Sequence, residues 1–468
     1  MNAHRPIRLI GIPLFGKGAT THLHRKSLVD AFLQKGWEIC YLIREDYVPL
    51  LEPLPGCQYE IYRPPEVAGD FSKKLLRYCQ QLRRMSPPMD QYKRWQYQTL
   101  LSLNPAFWGR IHFRLQYLLS GYRSVMDWLI RCEGRIYRKL PSGLSKELRL
   151  GKIIVLGVGS PVDTLSLPIT WWAIRRHIPV INLVGNYDSL SSNGFRGHPI
   201  EKILVWGPNM EMDARKLQGI PDQRIRITGS IRYNEMLGLK KQSRTEFFHS
   251  RGLNPKGKTI TFAGFYYEFH YFEMLSVFKE MKKKYKDLQL IVRIYPNKRL
   301  LRSPLMEFFI EKSRSEPGVY LSLADPFYLY GDKDRVVLQI EEVDLWNILN
   351  HSDVVINIFS TIAVEACIFD KPVIHLWYFE KSGGMLKDPI YRNFPLQWHI
   401  QRLLSYGVMP IATNRMELMD LIEKALSSPG LGKEGRKKIV EEECGPLDGR
   451  AAERVVAASL ETGNQLRT

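Results

Sequence analysis

The sequence predicts an α/β protein with two Rossmann-like domains, each built on a parallel β-sheet. The chain has 468 residues, which is enough for two or three domains. Hydrophobic residues make up 44% of it and aromatic residues 11%, a composition typical of large buried cores. Short apolar runs alternate with helical patterns twice along the chain, as expected where helices connect parallel strands.

The first predicted domain covers residues 1–240. Residues 8–13 have the apolar pattern of a strand, and a loop and a helix over about 22–35 follow. A second strand is predicted over residues 38–43, and after it a basic helical insertion over residues 71–150. The remaining strands predicted for this domain are 152–156, 179–184, 202–206 and 224–228.

The second predicted domain covers residues 255–446. A polar segment with Gly and Pro, residues 237–258, is interpreted as the interdomain linker. An amphipathic helix over about 449–461 follows a turn after the domain. The strands predicted here are 259–263, 288–294, 336–339, 353–358, 372–376 and 408–412.

Positive charge is concentrated in the predicted insertion. The chain carries a net charge of +19, and residues 71–150 hold 16 Lys and Arg against 4 Asp and Glu. Arg alternates there with Tyr, Trp and Leu at helical spacing, which suits a helix at an anionic membrane surface. The alternative is a set of helices packed on the domain with Arg facing solvent, and we favour it for most of the segment. Nucleic acid is not expected as a partner, because no nucleic-acid-binding motif accompanies the charge.

Several classes of protein are disfavoured by composition. No apolar run reaches the roughly eighteen residues that a membrane span needs. The first residues lack the apolar core and cleavage site of a signal peptide. Six cysteines are scattered without CxxC spacing, which fits a reduced, cytoplasmic protein without a zinc motif.

The segment 352–377 contains the pattern most indicative of a ligand site. Ser360 and Thr361 lie where an apolar strand turns into a helix, and Glu365 follows one helical turn later. Ligands bind at the carboxyl ends of parallel strands, beside helix N-termini that attract phosphate. We therefore expect Ser360 and Thr361, both good N-cap residues, to contact a phosphate, and Glu365 to contact a ribose diol. The alternative is an ordinary βαβ unit with a capped helix and a surface Glu.

Two further residues are candidates for the same ligand site. Arg293 ends a predicted strand, and a guanidinium there suits a diphosphate. Gly264 ends the first strand of the second domain and would let a ligand approach the backbone closely. The structural alternatives are a surface Arg at a strand end and an ordinary turn glycine.

Two candidates for a general base lie in the first domain. The loop Gly11 to Gly18 is no magnesium-binding P-loop, because Gly18 stands where that motif needs Ser or Thr. His22 opens the helix after it and has the chemistry of a base near neutral pH. Asp188 is the sole acid in the polar loop 186–199. A capping or surface His and an Asx-turn Asp are the alternatives.

Five segments together resemble a known family. They read NYDSLSSNG, EKILVWGPNMEMDARKLQGIPDQRIRITGSIRYNE, RIYPN, DVVINIFSTIAVEACIFDKPVI and DGRAAERV. Over about residues 150–463 the chain resembles glycosyltransferases of the GT-B fold, near the CDP-glycerol glycerophosphotransferase and UDP-N-acetylglucosamine 2-epimerase group. The resemblance implies two Rossmann-like domains facing a cleft, with residues 447–463 returning to the first domain.

The resemblance also implies roles for single residues. Ser360 and Thr361 would contact the donor phosphates, Glu365 the ribose, and Arg293 matches the basic residue of the family's RxHP-like turn. Asp188 lies in the loop where glycerophosphotransferases carry a catalytic His. That loop His is absent, and Tyr295 replaces the usual His of the turn. Both departures favour sugar transfer, and the acid-rich pattern of the epimerases is not evident.

We therefore predict a metal-independent glycosyltransferase that needs no cofactor and uses a nucleotide-diphosphate sugar as donor. The expected acceptor is an envelope or lipid-linked glycan. The expected location is cytoplasmic, with peripheral attachment to the inner face of the plasma membrane through residues 71–150. The alternatives are a CDP-glycerol-type glycerophosphotransferase, a UDP-N-acetylglucosamine 2-epimerase and a non-catalytic nucleotide-binding protein.

Overall fold

The chain divides into two compact units. The first comprises Met1–Gly238, Leu396–His399 and Glu442–Thr468, and the second comprises Leu239–Pro395 and Ile400–Glu441. The structure is a computed structural model. It describes residues 9–14, 22–43, 45, 48, 51–63, 66–67, 69–85, 106–138, 153–157, 166–192, 200–239, 241–295, 298–323, 339–378 and 394–465.

The described strands of the first unit form one parallel sheet of seven strands in the order β3-β2-β1-β4-β5-β6-β7. The strands are β1 Leu9–Leu14, β2 Glu38–Ile43, β3 Cys57–Ile61, β4 Ile153–Gly157, β5 Val180–Leu183, β6 Lys202–Val205 and β7 Ile225–Ile227. The helices are α1 Lys26–Gln34, α2 Asp70–Met85, α3 Phe107–Ser120, α4 Arg123–Arg138, α5 Leu167–Arg175, α6 Ser189–Ser192, α7 Pro208–Lys216 and α8 Ile231–Gly238.

The described strands of the second unit form a parallel sheet of six strands in the order β10-β9-β8-β11-β12-β13. The strands are β8 Lys258–Ala263, β9 Leu288–Arg293, β10 Val319–Ser322, β11 Val354–Asn357, β12 Val373–Leu376 and β13 Ile411–Ala412. The helices are α9 Arg244–His249, α10 Glu268–Lys284, α11 Lys298–Leu301, α12 Pro304–Arg314, α13 Gln339–His351, α14 Ile362–Ile368, α15 Trp398–Ser405, α16 Arg415–Ser427 and α17 Lys433–Ile439. The last helix of the chain is α18, Ala451–Gln465.

The predicted fold class is confirmed. Both sheets are parallel, and each contains the strand order 3-2-1-4-5-6 of a Rossmann fold. Central strands such as β11 and β12 are buried along their whole length, as expected where helices cover both faces of a sheet. Their continuous apolar runs made them easy to recognise in the sequence.

The last helix, α18, packs on the first unit. Its apolar residues share a core cluster with α1 and β2, through side chains that include Val455, Phe32 and Ile39. Arg454 fixes it by donating from Nε to the Thr228 carbonyl at 2.8 Å.

Two strands were not predicted, and both lie at sheet edges. β3 is the edge strand beside β2 in the first sheet, and β10 is the edge strand beside β9 in the second sheet. Most residues of both strands are only half-buried. Edge strands bury less apolar area, so they lack the continuous apolar run that marked the central strands.

One sequence interpretation needs correction, and a second segment is more ordered than its composition indicates. Gln339, predicted as the end of a strand over 336–339, is the first residue of α13, while residues 336–338 lie outside the described part of the chain. The segment interpreted as a linker contains α9, whose start is a capping box formed by Ser243 and Glu246. Two reciprocal hydrogen bonds stabilise that short helix despite the surrounding Gly and Pro.

The described part of residues 71–150 is helical. α2, α3 and α4 occupy it, and residues 86–105 and 139–150 lie outside the described part. No described helix combines the length and the apolar character needed to cross a membrane. None of the six cysteines forms a disulfide.

Candidate functional site

The carboxyl edge of the second sheet brings polar side chains into one row. The strand register pairs Ser322 with Arg293, Arg293 with Ala263, Ala263 with Asn357, and Asn357 with His375. Residues at one level of adjacent parallel strands point to the same face of the sheet. A cation, a hydroxyl, an amide and an imidazole are therefore presented together, with the small Ala263 in the middle.

Arg293 belongs to a charged network at one end of this row. Its Nη1 donates to Ser322 Oγ at 3.1 Å and lies 3.9 Å from Asp344 Oδ2 on α13. Ser322 Oγ also donates to Asp344 Oδ2, at 3.2 Å. Asp344 forms a second ion pair with Arg251. Two guanidinium groups thus share one carboxylate, so this described network has one positive charge in excess.

A buried pair, Asn357 and His375, forms the other end of the row. Asn357 Oδ1 accepts a hydrogen bond from the Ser360 amide and another from His375 Nδ1, each at 3.2 Å. Burial lowers the pKa of His375 to about 3, so the ring is neutral at pH 7. Its proton lies on Nδ1, because Asn357 Oδ1 can only accept a hydrogen bond.

This arrangement leaves two buried polar atoms of the row without a partner among the described residues. Asn357 Nδ2 and His375 Nε2 have no hydrogen-bond partner among the described residues, although both side chains are at most 1% exposed. Buried polar atoms in native proteins are almost always paired, so such atoms need an explanation. One is a donor and the other an acceptor.

The turn after β11 has an unusual backbone. Phe359 has a φ of +46°, in the left-handed region, and its ring stacks on His375 at 4.5 Å. Ser360 and Thr361 follow it and are both partly exposed. The predicted side-chain cap by Thr361 does not form. The backbone of Thr361 is already helical, whereas a capping residue has an extended backbone that lets its hydroxyl accept from an amide in the first turn.

Glu365 lies on the buried face of α14. It is 4% exposed, which rules out the surface Glu of the structural alternative. The contact with a ribose stays a prediction.

Gly264 is explained by packing. A Cβ at this position would lie 2.2 Å from Cζ of Tyr271, so no larger residue fits beside that ring. The Tyr271 hydroxyl donates to the Phe265 carbonyl at 3.1 Å and accepts from the Tyr295 amide at 3.0 Å. The ring therefore fills the space that a ligand would need on that side of Gly264.

Asp188, in the first unit, has the environment of a modest base. It immediately precedes α6 and is partly exposed. Burial raises its pKa above the ordinary value, while hydrogen bonds from its own amide and from the Ser192 hydroxyl oppose that rise. A raised pKa brings a carboxylate closer to the range in which it accepts protons effectively at neutral pH.

The chain neighbours of Asp188 contact a histidine that is distant in sequence, and sequence reasoning missed it. Ser191 Oγ lies 3.0 Å from His399 Nδ1, and the Tyr187 ring contacts the same imidazole edge-to-face at 5.4 Å. Trp398, next to that histidine, donates from Nε1 to Asp213 at 3.0 Å. No local pattern in the sequence links position 399 to position 191.

His22 has a less favourable environment for a base. It is 4% exposed and its ring lies 5.6 Å from that of Trp206. Burial, then the charges of Arg232 and Arg25, lower its pKa well below the ordinary value. His22 is therefore not the surface histidine that the sequence left open as an alternative. Residues 15–18 of the loop before His22 and residues 193–199 of the loop that contains Asp188 lie outside the described residues.

Two Rossmann-like units with parallel sheets are the architecture of the GT-B fold. No protein-family model and no curated protein sequence matches the chain. Solved structures do. The putative UDP-N-acetylglucosamine 2-epimerase of Listeria monocytogenes is 11% identical, with 99% of this chain and 98% of that chain covered and a TM-score of 0.53.

The UDP-GlcNAc 2-epimerase of Neisseria meningitidis, solved bound to UDP-GlcNAc, is 10% identical. The match covers 97% of this chain and 100% of that chain, with a TM-score of 0.53. The wall teichoic acid polymerase TagF is 11% identical over 99% of this chain and 91% of that chain, with a TM-score of 0.49. Such identities establish the fold alone, and the polymerase's score is too low to add to it. The predicted GT-B fold and its likeness to this group are confirmed.

Proposed function

We propose that the chain is an enzyme that binds a nucleotide-diphosphate sugar on its second unit and transfers the sugar to a hydroxyl acceptor. The observation that supports this most is the row from Ser322 to His375. It lies at the carboxyl edge of a Rossmann sheet, where this fold binds nucleotides.

Each part of the row suits one part of such a donor. The net positive charge around Arg293 suits the diphosphate, and the partly exposed hydroxyls of Ser360 and Thr361 suit its oxygens. The unpaired atoms of Asn357 and His375 suit an uncharged group that both accepts and donates. Glu365 keeps its proposed role at the ribose, whereas Gly264 is left out because Tyr271 explains it.

The proposed reaction is a displacement at the anomeric carbon. The acceptor oxygen forms a bond to that carbon as the bond to the diphosphate breaks, and Asp188 takes the acceptor's proton. Fixed cations and hydroxyls, with no metal or cofactor, stabilise the departing diphosphate. We propose an envelope or lipid-linked glycan as the acceptor.

A second candidate is a UDP-GlcNAc 2-epimerase. It is favoured by the fold comparison, because both of the solved structures described above with a TM-score over 0.5 carry that name. The two candidates would use the same donor site and differ in product.

A donor panel separates the candidates. The full chain is mixed with UDP-, GDP- and dTDP-sugars and with CDP-glycerol, and melting temperature and products are measured. Slow release of a nucleoside diphosphate supports the transferase. A C2-inverted sugar supports the epimerase, and release of CMP supports glycerophosphate transfer. Protection without turnover supports a nucleotide-binding protein, and no protection by any nucleotide contradicts the proposed donor site.

Asn357→Leu tests the row directly. We expect nucleotide affinity to fall at least about tenfold, because the change removes Nδ2 and the acceptor that orients His375. Asn347→Leu is the matched control, since Asn347 is equally buried and accepts from the Gln242 amide at 3.0 Å in the same unit. Both variants should lose stability, and equal affinity in the two would remove Asn357 from the site.

A further inference from the structure

Helix α3 has its polar side buried. Gln116 and Ser120 are completely buried in the described structure. Gln116 Nε2 donates to Gln81 Oε1 on α2 at 2.7 Å, and the Ser120 hydroxyl donates to the Tyr117 carbonyl at 2.8 Å. The contacts of α3 with its own domain therefore use these two polar residues, together with Leu119, which packs against Leu82 and Leu129 in an apolar cluster.

The apolar side of α3 faces outward. Five large side chains on it are 40% to 76% exposed, namely Phe107, Trp108, Ile111, Leu115 and Leu118. With 3.6 residues per turn, the five fall within an arc of about 100° on the helix. Phe71 of α2 and Trp128 of α4 add exposed aromatic rings, at 79% and 55%.

This orientation distinguishes α3 from its neighbour α4. α4 buries Met126 and Leu129 and exposes Arg131 and Arg135, as a helix packed on its own domain does. The packed alternative that we favoured for most of the segment therefore accounts for α4, but it does not account for the exposed apolar arc of α3.

Positive charge borders the exposed apolar arc. Arg110 and Arg114 of α3 are exposed and lie beside the arc in the helical projection. Across α2, α3 and α4 there are eleven Lys and Arg against three Asp and Glu. An apolar stripe with a cationic border matches a bilayer, in which acyl chains lie below anionic headgroups.

We propose that α3 lies in the interface of an anionic lipid bilayer, with the arc from Phe107 to Leu118 inserted among the acyl chains. Charge favours this occupant over a second copy of the chain, because a twofold contact would bring two such cationic borders together. The inference stands independently of the proposed reaction.

Vesicle flotation of the full chain tests the proposal. We expect binding to vesicles of phosphatidylcholine with about one-third phosphatidylglycerol, and weaker binding at about 0.5 M salt, where charge is screened. Leu115→Gln combined with Leu118→Gln should weaken partitioning at least about tenfold, because the inserted apolar area is lost.

Leu305→Gln is the matched control. Leu305 of α12 is 59% exposed and Leu118 is 60% exposed, so neither change disturbs a core. The control should bind like the unaltered chain. Equal loss in control and test variants overturns the proposal, as does full binding by the double variant, which would indicate attachment by charge alone.

Two other results also overturn it. One is the absence of binding to the anionic vesicles at low salt. The other is a dimer in sedimentation velocity that the double variant dissociates while vesicles are not bound, since the face would then be covered by a second copy.

Discussion

The ionisable residues of the candidate sites differ chiefly in their exposure to solvent. Arg293 is a quarter exposed and shares Asp344 with Arg251, so it keeps access to a ligand while its position is fixed. Asp188 is partly exposed and His22 is buried. These environments rank the two predicted bases, which the sequence left open.

Asp188→Asn should lower kcat by about 10²- to 10⁴-fold once a donor and acceptor are found, because an amide accepts no proton. The raised pKa of Asp188 also places the acid limb of the kcat/KM profile above the ordinary carboxyl value, since the base of the free enzyme is lost when it is protonated. His22→Gln, within the buried contact to Trp206, should change kcat less than about tenfold. A larger effect at His22 would reverse the assignment.

Gly264→Ala should lower the free energy of unfolding by about 1–3 kcal/mol or more, because its Cβ would overlap the Tyr271 ring. Chemical denaturation measures this loss. In a Tyr271→Leu background the ring is gone, so the same change should cost little. A cost that is unchanged in that background would show that Gly264 serves another purpose.

Among the elements, α18 is held by one buried cation. Lys202 of β6 is 5% exposed in its side chain and donates to Glu461 Oε2 at 2.9 Å and to the Ala458 carbonyl at 3.3 Å. Glu461 is 55% exposed, and the nearby Lys202 ammonium lowers its pKa. If the ion pair is broken, water can therefore solvate the carboxylate of Glu461 but can hardly reach the ammonium group of Lys202.

Glu461→Ala should lower the free energy of unfolding by about 1–3 kcal/mol, because Lys202 is left buried with one partner fewer. Lys202→Met should cost less than about 1 kcal/mol, because it removes the buried charge and leaves Glu461 in water. Denaturant unfolding of both variants checks the order. The reverse order would mean that Lys202 does not depend on Glu461.

Over the whole molecule, buried histidines connect stability to pH. Burial lowers the pKa of His24 and His270 to about 4 and that of His375 to about 3. The unfolded chain takes up these protons near pH 6.5, and the native chain takes them up only well below that value. Stability should therefore be unaffected by these groups above about pH 7 and should fall as pH decreases.

Denaturant unfolding between pH 7 and pH 5 tests this expectation. Each such histidine should lower the free energy of unfolding by up to about 1.4 kcal/mol per pH unit below pH 6.5. His270→Gln should reduce the slope, because His270 is completely buried. His249→Gln, an exposed position at the end of α9, serves as the control. Stability that rises on acidification would contradict the assignment.

The sequence by itself determined the class of fold and the position of the donor-site candidates along the chain. Alternating apolar runs and helical patterns are local signals, and they persist because central strands such as β11 are buried on both faces. The same signals placed Arg293 at a strand end and Ser360 and Thr361 at a strand-to-helix turn. They missed β3 and β10, whose half-buried edge positions weaken the pattern.

Tertiary structure decided which of these groups meet. The register of β11 and β12 joins Asn357 to His375, and a contact across 208 residues joins Ser191 to His399. The sequence of α3 showed an amphipathic helix, but only its packing against α2 turned the polar side inward and the apolar side outward. Periodicity reports that two faces differ, whereas contacts between distant segments determine which face is buried.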